Sequence, residues 1–198
     1  MGIGVVEGDH NVAVGRKSLY DLTSGANNIA VGVDAGGNIT TGSDNVAVGM
    51  TALEAMQAGS NNIAIGKNAM ADINRSNSDS NIAIGSDALD ACGSTHDNYS
   101  NIAIGDDAMG ATCSGQRILN VAVGRFALTA VTSGDNNTGI GYQGGLNITT
   151  GSNNLCLGYR AGGANSPNDV STDSNNIVLG DDNTDDFYCA DNSINSSD

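Results

Sequence analysis

Apolar and polar positions alternate in a short segment that returns ten times along the chain. Each copy reads Asn, apolar, small, apolar, Gly, as in NVAVG at residues 11–15 and NIVLG at residues 176–180. Successive copies begin 17 to 22 residues apart, a spacing typical of a solenoid with one coil per repeat. Alternating β-branched residues that end at a glycine predict a strand, with the small residue and the large residues on opposite faces.

A second apolar pair follows most of the predicted strands, as in Ala52 and Leu53 or Ala127 and Leu128, and a polar turn closes the coil. We expect a short second strand there, because Gly or Ser interrupts every stretch before a stable helix could form. The chain has 28 Gly, one Pro, two Phe and no Trp, so we expect a core of stacked Val, Ile, Leu and Met. The prediction is an all-β parallel β-roll or β-helix of about ten coils.

The asparagine of the motif forms a column with two interpretations. Its amides could bind a ligand or ion, or each could bond the equivalent amide in the next coil, as in stacked parallel strands. We favour the structural ladder. Its members are Asn11, Asn28, Asn45, Asn62, Asn81, Asn101, Asn120, Asn137, Asn154 and Asn176.

The net charge of −15 argues against nucleic acid or an anionic membrane as a partner, and no apolar run is long enough for membrane insertion. One acidic cluster offers the hard oxygen ligands that calcium prefers: Asp181, Asp182, Asp185 and Asp186. We prefer a solvated acidic turn, because no EF-hand or GGxGxD repeat is present. We therefore predict no cofactor and no metal, with this cluster as the calcium candidate.

The reactive residues do not form a catalytic pattern, so we predict that the chain is not an enzyme. His10 and His96 are its two histidines, and no GxSxG motif or carboxylate pair is recognisable. Cys92 and Cys113 fall at nearly equivalent places in neighbouring coils, close enough to be a candidate disulfide. Cys156 replaces the small residue of its strand, which predicts a buried thiol.

Three consecutive coils carry longer turns, at residues 74–80, 93–100 and 114–119. Insertions on a rigid scaffold are frequent positions for recognition residues. We therefore name His96, Tyr99, Gln116 and Arg117 as candidate recognition side chains, with tolerated surface variation as the alternative.

The coil NVAVGxxAL and the turn TTGSDN resemble the head repeats of YadA-type trimeric autotransporter adhesins and repeats of phage tail-fibre proteins. The resemblance covers residues 11–180 and implies a left-handed parallel β-roll that forms a homotrimer. The adhesin heads repeat at about 14 residues, whereas these coils are longer. Residues 1–10 resemble a partial coil, so we expect the fibre to continue upstream.

The C-terminal segment, residues 181–198, resembles the junction before an intramolecular chaperone of endosialidase type in phage tail fibres and tailspikes. The resemblance implies a transient C-terminal chaperone domain and a processing junction at Ser197 and Asp198.

These observations predict a structural and adhesive segment of a viral tail fibre or virion appendage, on the virion or extracellular. Its expected partners are two further copies of itself and a host-surface glycan or protein receptor. The alternatives are a self-assembling extracellular filament protein and a free-standing β-solenoid such as an ice binder.

Overall fold

The computed structural model describes residues 8–73, 78–91, 96, 98–111, 114–163 and 170–181. Ten strands of the described part form one parallel sheet, and two shorter strands form a second. The strands are β1 (Val12–Val14), β2 (Ile29–Val31), β3 (Val46–Val48), β4 (Ile63–Ile65), β5 (Ile82–Ile84), β6 (Asn98–Tyr99), β7 (Ile102–Ile104), β8 (Arg117–Ile118), β9 (Val121–Val123), β10 (Thr138–Ile140), β11 (Leu155–Leu157) and β12 (Ile177–Leu179). None of the described residues is helical.

Each strand of the large sheet pairs with the same slot of the next strand, so equivalent residues form straight columns. Val12, Ala13 and Val14 lie opposite Ile29, Ala30 and Val31, for example. The sheet runs β1-β2-β3-β4-β5-β7-β9-β10-β11-β12. The all-β class and the parallel solenoid are therefore confirmed, with about eight turns. Ten coils remain a prediction, because several connections pass through residues outside the described ranges.

The small column of the large sheet is buried in the interior from β2 to β12. Ala30, Ala64 and Ala103 are completely buried, whereas the flanking Ile29 and Ile65 are 41% and 38% exposed. The predicted core of stacked Val, Ile, Leu and Met is therefore confirmed only for the wall opposite the sheet, whereas the Val and Ile of the motif lie outside the core. The inward slot holds mostly alanine, because the larger side chains of the core enter from the opposite wall.

The opposite wall supplies the large core residues from two columns, one starting at Leu19 and one at Leu22. They pack against the alanines and form one continuous cluster. The largest completely buried apolar residues are Ile39, Leu53, Met56, Met70, Ile73, Leu89, Met109, Leu128, Val131 and Ile148.

The second strand expected in each coil is wrong, since the segment after the glycine is a series of turns. Thr51 and Leu53 both have positive φ, 58° and 55°. This backbone bends sharply yet keeps its N–H groups along the coil axis: Leu53 N donates to Ala69 O at 3.0 Å. The left-handed conformation costs roughly 1–2 kcal/mol per residue. Complete burial of Leu53, worth about 1.5–3 kcal/mol, offsets it.

Two of the three longer turns also pair with each other. Strands β6 and β8 are parallel, with Asn98 opposite Arg117 and Tyr99 opposite Ile118. The insertions therefore extend the coil stacking instead of leaving it.

Candidate functional site

The asparagine column forms a continuous ladder inside the solenoid. Asn45 Oδ1 accepts from the backbone N and Nδ2 of Asn62 at 3.0 and 3.2 Å. Asn45 Nδ2 donates to Asn28 Oδ1 at 3.1 Å and to Gly59 O at 2.9 Å. The pattern continues from Asn11 to Asn176, and the members from Asn28 to Asn154 are buried. These amides are used by the fold, so the column does not offer a ligand site.

The large residues that flank the alanines form an exposed apolar face on the outside of the sheet. Ile104 and Ile140 are 37% and 41% exposed although each lies within the sheet. The face contains Val, Ile, Leu and one Thr and carries no charge. Its first column is Val12, Ile29, Val46, Ile63, Ile82, Ile102, Val121, Thr138, Leu155 and Ile177, and its second is Val14, Val31, Val48, Ile65, Ile84, Ile104, Val123, Ile140, Leu157 and Leu179.

No family model, curated protein or solved structure matches the chain. The likeness to adhesin heads and tail fibres therefore stays a prediction.

The predicted recognition residues separate into two environments. Tyr99 and Gln116 are exposed and His96 is half-buried, in keeping with a surface position. Arg117 is completely buried, so its selection as a surface recognition residue is wrong. Its Nη1 donates to Met109 O at 2.8 Å and to Val131 O at 3.3 Å, and burial lowers its pKa to about 9.

The buried position of Arg117 follows from its place three residues before the ladder asparagine. In regular coils this inward position holds glycine, as in Gly42 and Gly59. The three longer coils hold Ser78, Asn98 and Arg117 there, all buried, and Arg117 Nε donates to Asn98 Oδ1 at 3.3 Å. Sequence reasoning missed this polar cluster, although aligning the coils on their asparagines would have shown that the glycine is replaced in three consecutive coils and, as Asp173, in the last one.

One aspartate outside the predicted calcium cluster has a pKa well above the ordinary value. Burial raises the pKa of Asp90 to about 6, and the nearby Asp72 and Asp87 carboxylates add to the shift. Within the described ranges, no group of three His, Cys, Asp or Glu could hold a metal ion. Asp181 is half-buried, whereas its three partners in the calcium candidate, Asp182, Asp185 and Asp186, lie outside the described residues.

The thiol of Cys156 occupies the small inward slot, opposite Gly139 of the preceding coil. It is free and buried, and burial raises its pKa to about 11. The candidate disulfide between Cys92 and Cys113 and the processing junction at Ser197 and Asp198 lie outside the described residues. In the part of the chain that is described, no helix has the length and apolar character needed to span a membrane.

Proposed function

We propose that this chain is a structural and adhesive segment of an extracellular fibre, a viral tail fibre or related virion appendage, and that three copies pack through the apolar face. The exposed columns of Val and Ile carry the proposal. A strand that turns its alanines inward and its β-branched residues outward is favourable when the outward face is covered.

The shape of the face, more than its size, supports an interface. Ten strands at roughly 4.8 Å make it about 43 Å long, and two slots make it roughly 10 Å wide, so its flat area is on the order of 400 Å². The largest apolar patch on a typical monomer is about 300–600 Å² and is often functional. Here the patch is one uninterrupted, uncharged stripe, which suits the common core of parallel copies.

The threefold number comes from the resemblance to adhesin heads. A narrow stripe is compatible with it, because three copies around an axis each direct one stripe toward the centre. The net charge of −15 per chain keeps the outside of such an assembly soluble. Multivalent contact with a host surface is the advantage of a trimeric rod.

The mass in solution, measured by light scattering, tests the proposal against the 19.8 kDa chain. We expect threefold mass for the native protein. The substitution Ile104→Glu places three carboxylates near the axis and should lower the mass, while Gln57→Glu adds the same charge at an exposed position outside the face and should not.

If the native protein is a stable, folded monomer, the proposal that three copies pack through the apolar face is refuted. Polydisperse high mass would favour the filament alternative. Circular dichroism of the Ile104→Glu protein separates loss of assembly from loss of folding.

A further inference from the structure

Three aromatic rings of consecutive coils contact one another on the outside of the solenoid. The Tyr142 and Tyr159 rings are stacked, with centroids 5.4 Å apart and planes 17° apart. Phe126 meets Tyr142 edge to face, at 6.2 Å and 71°. The chain has five Tyr and two Phe, so a large share of its aromatic residues is concentrated here. We call Phe126, Tyr142 and Tyr159 the aromatic ledge.

The ledge does not belong to the core. Tyr142 and Tyr159 are 37% and 59% exposed, and the interior of the described coils is filled by alanines and large aliphatic residues. Each ring follows the glycine turn after its strand, and the backbone there continues the coil-to-coil bonding: Arg160 N donates to Tyr142 O at 2.8 Å. The rings are therefore held at successive rungs of a rigid scaffold.

Two arginines flank the rings. The Arg125 guanidinium lies 4.4 Å from the Phe126 ring centroid and pairs with Asp106 at 2.9 Å. The Arg160 guanidinium lies 5.9 Å from the Tyr159 centroid, and no described carboxylate is within ion-pair distance of it. The ledge thus ends in a cation that no carboxylate of the described ranges pairs with, on a chain that is strongly acidic overall.

We infer that the aromatic ledge binds a carboxylated sugar of a surface polysaccharide. The electron-rich face of an aromatic ring attracts the C–H face of a pyranose, and a guanidinium bonds a carboxylate through two parallel N–H groups. Because the stacked Tyr142 and Tyr159 rings cover one face of each other, the sugar stacks on the free side of Tyr159, which is 59% exposed. The inference rests on the proposed function for the receptor class, but it does not require the trimer.

Single-stranded nucleic acid also stacks on aromatic residues beside arginine. The phosphate backbone carries a charge at every nucleotide, and a chain of net charge −15 repels a polymer that is charged at every unit. The ligand that fits is therefore a single carboxylated sugar within an otherwise neutral polysaccharide. An uncharged surface would suit a neutral glycan, whereas Arg160 favours one that carries a carboxylate.

The test is calorimetric titration of the full chain with two probes that each carry one carboxylate, a methyl-esterified galacturonate hexamer with one free carboxylate and sialyllactose. The neutral counterparts are the fully methyl-esterified hexamer and lactose. We expect at least one carboxylated probe to bind at least tenfold more tightly than its counterpart. Tyr159→Ala should weaken that binding at least tenfold, and Arg160→Gln should remove the preference for the carboxylate.

Tyr20→Ala is the matched control, because Tyr20 is also 37% exposed and lies near a cation, Lys17, at 5.8 Å, but in a distant coil. It should bind like the native protein. The inference is overturned if neither carboxylated probe binds, or if Tyr142→Ala and Tyr159→Ala bind normally.

Loss of oligomeric mass in the tyrosine variants would also overturn the inference, because the ledge would then lie between chains. If the protein is a monomer and Tyr159→Ala still weakens binding, the proposed trimer is refuted and the inferred sugar site is supported.

Discussion

Removing one amide of the asparagine ladder should destabilise the protein by several kcal/mol. In Asn45→Ala, the carbonyl of Gly59 loses the Asn45 Nδ2 donor and the backbone N–H of Asn62 loses the Asn45 Oδ1 acceptor. Gly59 and Asn62 are buried. An unsatisfied buried group costs about 1–3 kcal/mol, so the two together cost about 2–6 kcal/mol. That is a large part of the 5–15 kcal/mol typical of a domain.

Urea denaturation at one fixed protein concentration measures this effect, since assembly makes stability depend on concentration. Asn38→Ala is the control: Asn38 is exposed, and we expect a change within about 0.5 kcal/mol. Asn45→Asp keeps the shape of the side chain but, when ionised, donates no hydrogen bond. At pH 7, Asn45→Asp should therefore lower the free energy of unfolding nearly as much as Asn45→Ala does. A loss below 1 kcal/mol in Asn45→Ala would refute the reasoning that the ladder satisfies otherwise unpaired groups.

Three further predictions concern a turn, a carboxyl and a thiol. Gly66 has φ +140° and an added Cβ would collide with Gly85 O, so Gly66→Ala should cost at least about 3 kcal/mol in urea denaturation; a loss near zero would contradict this. The folded pKa of Asp90 is about 6 against the ordinary 3.8 of an aspartate, so stability should fall as pH rises between these values. Asp90→Asn should flatten the pH profile and be more stable above pH 6 by about 1 kcal/mol, a value reduced for partial exposure; an unchanged profile would reject the assignment. Cys156 should resist iodoacetamide at pH 8 until urea unfolds the protein, as followed by peptide mass spectrometry, because burial raises its pKa to about 11; rapid labelling of the native protein would contradict this.

The repeat, the parallel sheet and the opposite orientation of small and large residues could be predicted from the motif, because a period of two and a coil-length repeat are local signals. The side that faces inward could not. Alternation in VAV fits a core of valines as well as a core of alanines, and the choice depends on the width of the coil. Residues such as Leu53 and Met70, which enter from the opposite wall, decide it.

The candidate sites were less predictable. Leu53 at positive φ contradicts the usual preference of a leucine, and only complete burial in the folded coil explains it. Arg117 suggested a surface contact because charged residues are rarely buried. The aromatic ledge also escaped the sequence reasoning, because Phe126 is displaced by one place relative to Tyr142 and Tyr159 when the coils are aligned.

Each coil contributes one strand to the large sheet, and this arrangement determines how a single chain would respond to tension. Each coil is bonded to the coil before it and the coil after it, as β2 is to β1 and β3. A pull on one end therefore loads one junction at a time, and opening a coil of 17 residues releases about 60 Å of extended chain. The next junction then presents a similar resistance. Such a segment lengthens stepwise under load, and the coils farther from the pulled end keep their fold.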